Sequence, residues 1–100
     1  MILVTVVTEG ILKDKIATLI MKHGASGYTV SNAEGKGSRG NRTTHWEGPN
    51  ARFETLVNAE TAERILEDLR IKYFENFSIV AWQSEVSVLR ADKFDPQHKD

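Results

Sequence analysis

The chain has 100 residues, 40% of them hydrophobic and 27% charged, with 13 Lys and Arg against 14 Asp and Glu and no Cys. That size fits one domain and leaves little room for a deep private active site, while the composition excludes whole-chain disorder. A near-neutral balance argues against a general nucleic-acid or anionic-membrane surface, and the missing Cys excludes disulfides, thiolate metal sites and Cys nucleophiles. Residues 2–7, almost all β-branched or Leu, predict a strand buried on both faces. The run breaks at Thr8-Glu9-Gly10, read as a turn, too early for a signal peptide or a membrane span. A helix follows over 11–22, with Leu12, Ile16, Leu19 and Ile20 on one stripe and a stop at His23-Gly24. Residues 28–33 predict a second, more polar strand. Residues 35–50 carry four Gly, Pro49 and a single large apolar residue, Trp46, and predict a long loop. A third strand spans 51–57, and Asn58 caps a helix over 59–73 with Ala62, Ile65, Leu66, Leu69 and Tyr73 on its apolar side. Glu60–Arg64 and Asp68–Lys72 are spaced as ion pairs on its wet side. A fourth strand spans 78–89, with Val80, Trp82, Val86 and Val88 on one face.

The order β-α-β-β-α-β defines an α+β, ferredoxin-like arrangement in one domain over 1–90, followed by a polar tail over 91–100. Two helices cover one face of the sheet. The other face meets solvent, a ligand or another subunit, and Trp82 with its Val neighbours favours a subunit. A reducing cytoplasm suits a chain without Cys.

Chemistry concentrates in Gly35-Lys36-Gly37-Ser38-Arg39-Gly40-Asn41-Arg42. Between 35 and 52, four basic residues (Lys36, Arg39, Arg42, Arg52) face one acid, Glu47, a local +3 in a chain of net −1. Glycines let backbone N–H groups approach an anion, Ser38 adds a hydroxyl donor, and the Arg forks match phosphate oxygens. The same composition also describes a solvated flexible loop, and the spacing is not a Walker motif. His23, His45 and His98 are far apart and form no metal pattern. Glu9 reads as a turn residue and Glu54 as a lone strand carboxylate, and neither Ser26 nor Ser38 has an evident His–Asp partner, so no catalytic and no metal-binding residue is assigned. The first strand has no aromatic and the third only Phe53, which disfavours the base-stacking platform of an RNA-recognition domain.

Gly24-Ala25-Ser26-Gly27-Tyr28-Thr29-Val30 followed by Gly35-Lys36-Gly37-Ser38-Arg39 resembles the PII signalling superfamily. The likeness is to its inorganic-carbon branch, the carboxysome-associated PII-like proteins and the SbtB proteins that accompany a bicarbonate transporter. It continues through 70–74 and 85–89 and covers roughly residues 2–90. The resemblance implies a cytoplasmic homotrimer that is a sensor and not an enzyme. It implies an adenine nucleotide in each cleft between subunits, beneath a mobile T-loop at 36–50. By that resemblance Leu56 lies by the adenine, Val7 helps wall the pocket, Thr29 recognises the nucleotide, and Gly35, Lys36, Gly37, Ser38, Arg39 and Arg42 serve ribose and phosphates. Arg90 reaches a phosphate of the adjoining subunit. The chain has no cofactor on this reading; its ligands are ADP or AMP, with cyclic AMP and bicarbonate as further candidates. Its partner through the T-loop is a bicarbonate transporter or a carboxysome component.

This chain also departs from the family. Arg39 stands where PII proteins proper carry the Gln used for Mg-ATP and 2-oxoglutarate. Residues 35–50 contain no Tyr for uridylylation, and Glu75-Asn76-Phe77-Ser78 replaces a Gly-rich basic loop. Loss of the Lys that the family carries in that loop favours ADP, AMP or cyclic AMP over ATP. Two alternatives remain on the same scaffold: a small phosphatase, and a CutA-like structural trimer with no nucleotide site.

Overall fold

Alternation along the third strand orders the whole molecule. In the computed structural model, Ala51, Phe53, Thr55 and Val57 are buried beneath the helices, while Arg52, Glu54 and Leu56 between them face the other way. The structure describes residues 1–38 and 45–94. They form β1 (Ile2–Glu9), α1 (Lys13–Lys22), β2 (Thr29–Ser38), β3 (His45–Val57), α2 (Ala59–Tyr73) and β4 (Ile79–Glu85), with 3-10 turns at Gly10–Leu12 and Ala91–Lys93. The sheet is antiparallel in the order β2-β3-β1-β4. This is the ferredoxin-like arrangement expected from the sequence.

The core lies between the sheet and the two helices. Val4, Val6 and Phe53 meet Leu12, Ile16, Leu19 and Ile20 from the first helical segment, and Ala62, Ile65 and Leu69 from the second. Both helices end where local chemistry ends them. Asn58 Oδ1 accepts the Thr61 N–H at 2.9 Å, a side-chain N-cap. Gly24, at φ 99°, takes the left-handed conformation that closes α1. The Asp68–Lys72 pair forms at 3.0 Å. Arg64 does not turn to Glu60; it reaches the His23 carbonyl at 3.2 Å and the Thr61 hydroxyl at 3.0 Å.

Three expectations change. The stretch 35–50 is no uninterrupted loop: β2 and β3 pair from Thr29↔Glu54 out to Ser38↔His45. β1 ends opposite Asn50, so the outer rungs form a two-stranded ribbon beyond the sheet, held by the backbone ladder and needing no apolar pattern. Pro49 sits one residue past the last β1 rung, where β3 has lost a neighbour on that side and a missing N–H is tolerated. The fourth strand stops at Glu85, and Leu89 is exposed. Its residues on the helix side are Ile79 and Ala81, which pack on the core, while Val80 and Trp82 are 52% and 41% exposed on the open face. Glu9 belongs to β1 and is fully buried, where the sequence suggested a turn. Its carboxylate accepts the Ser78 N–H at 2.6 Å, and its own N–H donates to the Ser78 carbonyl at 3.3 Å.

Candidate functional site

The open face of the sheet carries a cleft at the end where β2 begins and β3 finishes. It has a volume of about 550 Å³ and is bordered by Leu3, Glu54, Thr55 and Leu56 of the sheet, by Ser26-Gly27-Tyr28-Thr29, and by Lys93 and Phe94. The connection from α1 supplies the Ser26–Tyr28 wall because Gly24 turns the chain back and the buried Ala25 pins it to the core. Thr55 Oγ1 then donates to the Gly27 carbonyl at 2.6 Å. The cleft thus combines apolar walls with a hydroxyl (Thr29), a carboxylate (Glu54) and an ammonium (Lys93), a mixture that suits a small ligand with a flat apolar part and polar edges.

Of the residues singled out from the sequence, Thr29 and Leu56 line this cleft together. Val7 lies farther along β1, between Arg52 and Val80. Arg90 precedes the final 3-10 turn and is exposed; Lys93 takes the place at the cleft. Gly35, Lys36, Gly37 and Ser38 lie on the ribbon, opposite Gly48, Glu47, Trp46 and His45. Arg39 and Arg42 lie outside the described residues, as does residue 98 with its His. Arg52, counted in the basic stretch, is engaged elsewhere: its guanidinium lies 5.5 Å from the centroid of the Trp82 ring and 3.9 Å from Glu54.

The assigned residues therefore fall into two groups. Gly35 is six residues beyond Thr29 along an extended strand, which is about 20 Å at the rise of a β-strand, and Ser38 is about 30 Å away. The cleft that holds Thr29 and Leu56 is not bordered by Gly35. Glu54, Lys93, Phe94, Gly27 and Tyr28 were missed as cleft residues. Only the alternation of β3, which puts Glu54 and Leu56 on one face, was visible in the sequence. The turn after β1 offers no phosphate cradle: Glu9 is buried and a Cβ on Gly10 would stand 2.9 Å from the Pro49 carbonyl oxygen. Among the described residues no group of His, Asp and Glu is placed to hold a metal ion, and no helix is long and apolar enough to cross a membrane.

A sheet of this order with two helices on one face and a ligand-sized cleft on the other defines a small α+β protein of ferredoxin-like fold. The family model for nitrogen regulatory protein P-II matches residues 1–93, and the chain belongs to that family. Among solved structures, a protein of Thermus thermophilus described as a PII-like signaling protein is 42% identical over 93% of each chain, with a TM-score of 0.79. CPII, a nitrogen regulatory PII-like protein from Thiomonas intermedia bound to ADP, AMP and bicarbonate, is 25% identical, covers 93% of this chain and 92% of its own, and has a TM-score of 0.80. The PII-like protein CutA from a Nostoc species, in apo form, shares the fold at 16% identity, covering 96% of this chain and 95% of its own, with a TM-score of 0.70.

Proposed function

We propose that this chain is a PII-like signalling protein that binds an adenine nucleotide, ADP or AMP, in a site shared by two subunits of a homotrimer. The observation that carries the reading is the cleft holding Thr29 and Leu56, to which the resemblance gives recognition of the nucleotide and a place beside the base. CPII, of the same fold, was solved with ADP, AMP and bicarbonate. The base occupies the cleft of one subunit. The ribose and phosphates meet Gly35, Lys36, Gly37, Ser38, Arg39 and Arg42 of the neighbour, which accounts for the separation of the two groups along one chain. Val7 walls the base from the neighbour's side, and Arg90 supports the phosphates across the same boundary. Bicarbonate is held beside the phosphates by the same basic stretch, and cyclic AMP is a further ligand of the cleft.

The protein acts in the cytoplasm by binding and not by catalysis. Nucleotide shifts the T-loop, 36–50, only to the extent that it binds one loop arrangement more tightly than another, and Arg39 and Arg42 supply that difference. The loop then meets a bicarbonate transporter or a carboxysome component. Calorimetry tests the site. Arg39→Ala is expected to weaken ADP by about 1.5–3 kcal/mol, the scale of a hydrogen bond to a charged group, and Leu56→Asp to abolish binding. A ligand-free chain whose melting temperature no adenine nucleotide raises would favour the CutA-like reading instead.

A further inference from the structure

The cleft is bordered by the chain end as well as by the sheet. β4 stands at one edge of the sheet, beside β1. The cleft lies farther in, where the cross-strand partners Leu3 of β1 and Leu56 of β3 border it together. After β4 ends at Glu85 the chain therefore returns toward β1 and β3 and brings Lys93 and Phe94 to the same cleft. That return is held at two points. The Val86 N–H donates to the Met1 carbonyl at 3.0 Å, and Ala91, 1% exposed, opens the closing 3-10 turn. The Phe94 N–H donates back to the Ala91 carbonyl at 3.0 Å. A buried anchor and a backbone bond to it thus hold Phe94 at the cleft, in a stretch whose sequence suggested only a polar tail. Phe94 is half-buried, so it keeps apolar surface for a ligand to cover.

We infer that Phe94 is a base-contact residue of the nucleotide site, an inference that rests on the adenine-nucleotide reading above. A purine is a flat apolar surface with polar edges. Leu3 and Leu56 give it one apolar boundary, and Phe94 gives it another from a part of the chain distant in sequence. An aromatic side chain contributes to base binding through the π-face of the base. Its contribution is therefore the same for AMP and ADP, which differ only in phosphates. A ligand that touches Phe94 also favours the arrangement of the terminal turn in which that residue borders the cleft. Binding then protects the backbone bond between Phe94 and Ala91 from local opening.

The test measures AMP and ADP by calorimetry on the wild-type chain, Phe94→Ala and Phe94→Tyr. Phe94→Ala is expected to weaken both nucleotides by the same factor, about tenfold, within the range for removing an aromatic side chain from a base. Phe94→Tyr keeps the ring and is expected to bind both as the wild type does. A loss confined to ADP would place the residue at the phosphates and overturns the inference. So does a Phe94→Ala variant with a lowered ligand-free melting temperature and unchanged affinities, the mark of a merely structural role. A Phe94→Tyr variant as weak as Phe94→Ala overturns it too. Should Phe94→Ala not fold, hydrogen exchange on the unmutated chain decides: ADP is expected to slow exchange of the Phe94 amide, and unchanged exchange overturns the inference. A wild-type chain that binds neither nucleotide fails the functional reading itself, whereas wild-type binding with an unmoved Phe94→Ala fails only the role of Phe94.

Discussion

Asp68 shows how one side chain on α2 holds the end of α1. Its Oδ2 lies 2.7 Å from His23 Nε2 and 3.7 Å from Lys22 Nζ, and its Oδ1 lies 3.0 Å from Lys72 Nζ. Burial pushes the carboxyl up, but the hydrogen bonds from His23 and Lys72, with the charges of Lys72 and Lys22, outweigh it and hold its pKa below the ordinary carboxylate value. A folded-state pKa that is depressed stabilises the fold above the unfolded value and loses that contribution as pH falls through the folded one. Asp68→Asn is expected to cost about 1–3 kcal/mol at pH 7. The gap to wild type should close in acid, below the usual carboxylate range. Urea denaturation across pH checks this, and a gap that stays constant would mean that packing, not charge, sets the effect. Because His23 leads into Gly24 and the Ser26–Tyr28 wall, the same contact anchors the base of the cleft.

At the scale of elements, the ends of helices and strands carry the specific chemistry. Loss of the α2 cap in Asn58→Ala should cost about 1 kcal/mol, read as a lower denaturation midpoint with an unchanged slope. The junction after β1 is tighter. Glu9 is bonded to Ser78 in the connection before β4, and Gly10 packs against the Pro49 carbonyl at the base of the ribbon. Gly10→Ala puts a Cβ 2.9 Å from that oxygen. It is expected to destabilise the chain by about 1–3 kcal/mol, the range for overpacking, as measured by chemical denaturation. This junction joins the end of β1, the root of the ribbon and the connection 74–78. A shift of the ribbon on ligand binding would therefore be felt at Ser78.

At the scale of the whole molecule, the open face and the separation of the proposed ligand residues bear on the proposed shared site. Leu3, Val7, Leu56, Val80 and Trp82 lie on the sheet face that no helix covers among the described residues, and the cleft bordered by Thr29 and Leu56 does not include Gly35. A site built across two subunits predicts complementation. Leu56→Asp chains lack the base half and Arg39→Ala chains the phosphate half. Unfolded together and refolded as a mixture, they should recover tight ADP sites in mixed trimers, where an intact half from each variant meets. Calorimetry on the mixture and on each variant alone checks this; recovery of no sites would place both halves within one chain.

Both helices were legible in the sequence because capping and amphipathic spacing are local. Asn58, Gly24 and the stripes of α1 and α2 carry their meaning within a few residues. The order of strands was equally legible, since a βαββαβ chain has few ways to pair. The ribbon was not: Gly35 to Ser38 and His45 to Gly48 pair through backbone groups common to all non-proline residues, so side-chain pattern cannot announce them. Nor was the burial of Glu9, which depends on Ser78, 69 residues away. Thr29 and the basic stretch near Gly35 were visible as residues, through family resemblance and local charge. Their separation into two groups, and the convergence of Gly27, Glu54 and Lys93 on one of them, were decided by strand register and by the return of the chain end, contacts between distant residues that only the folded sheet brings together.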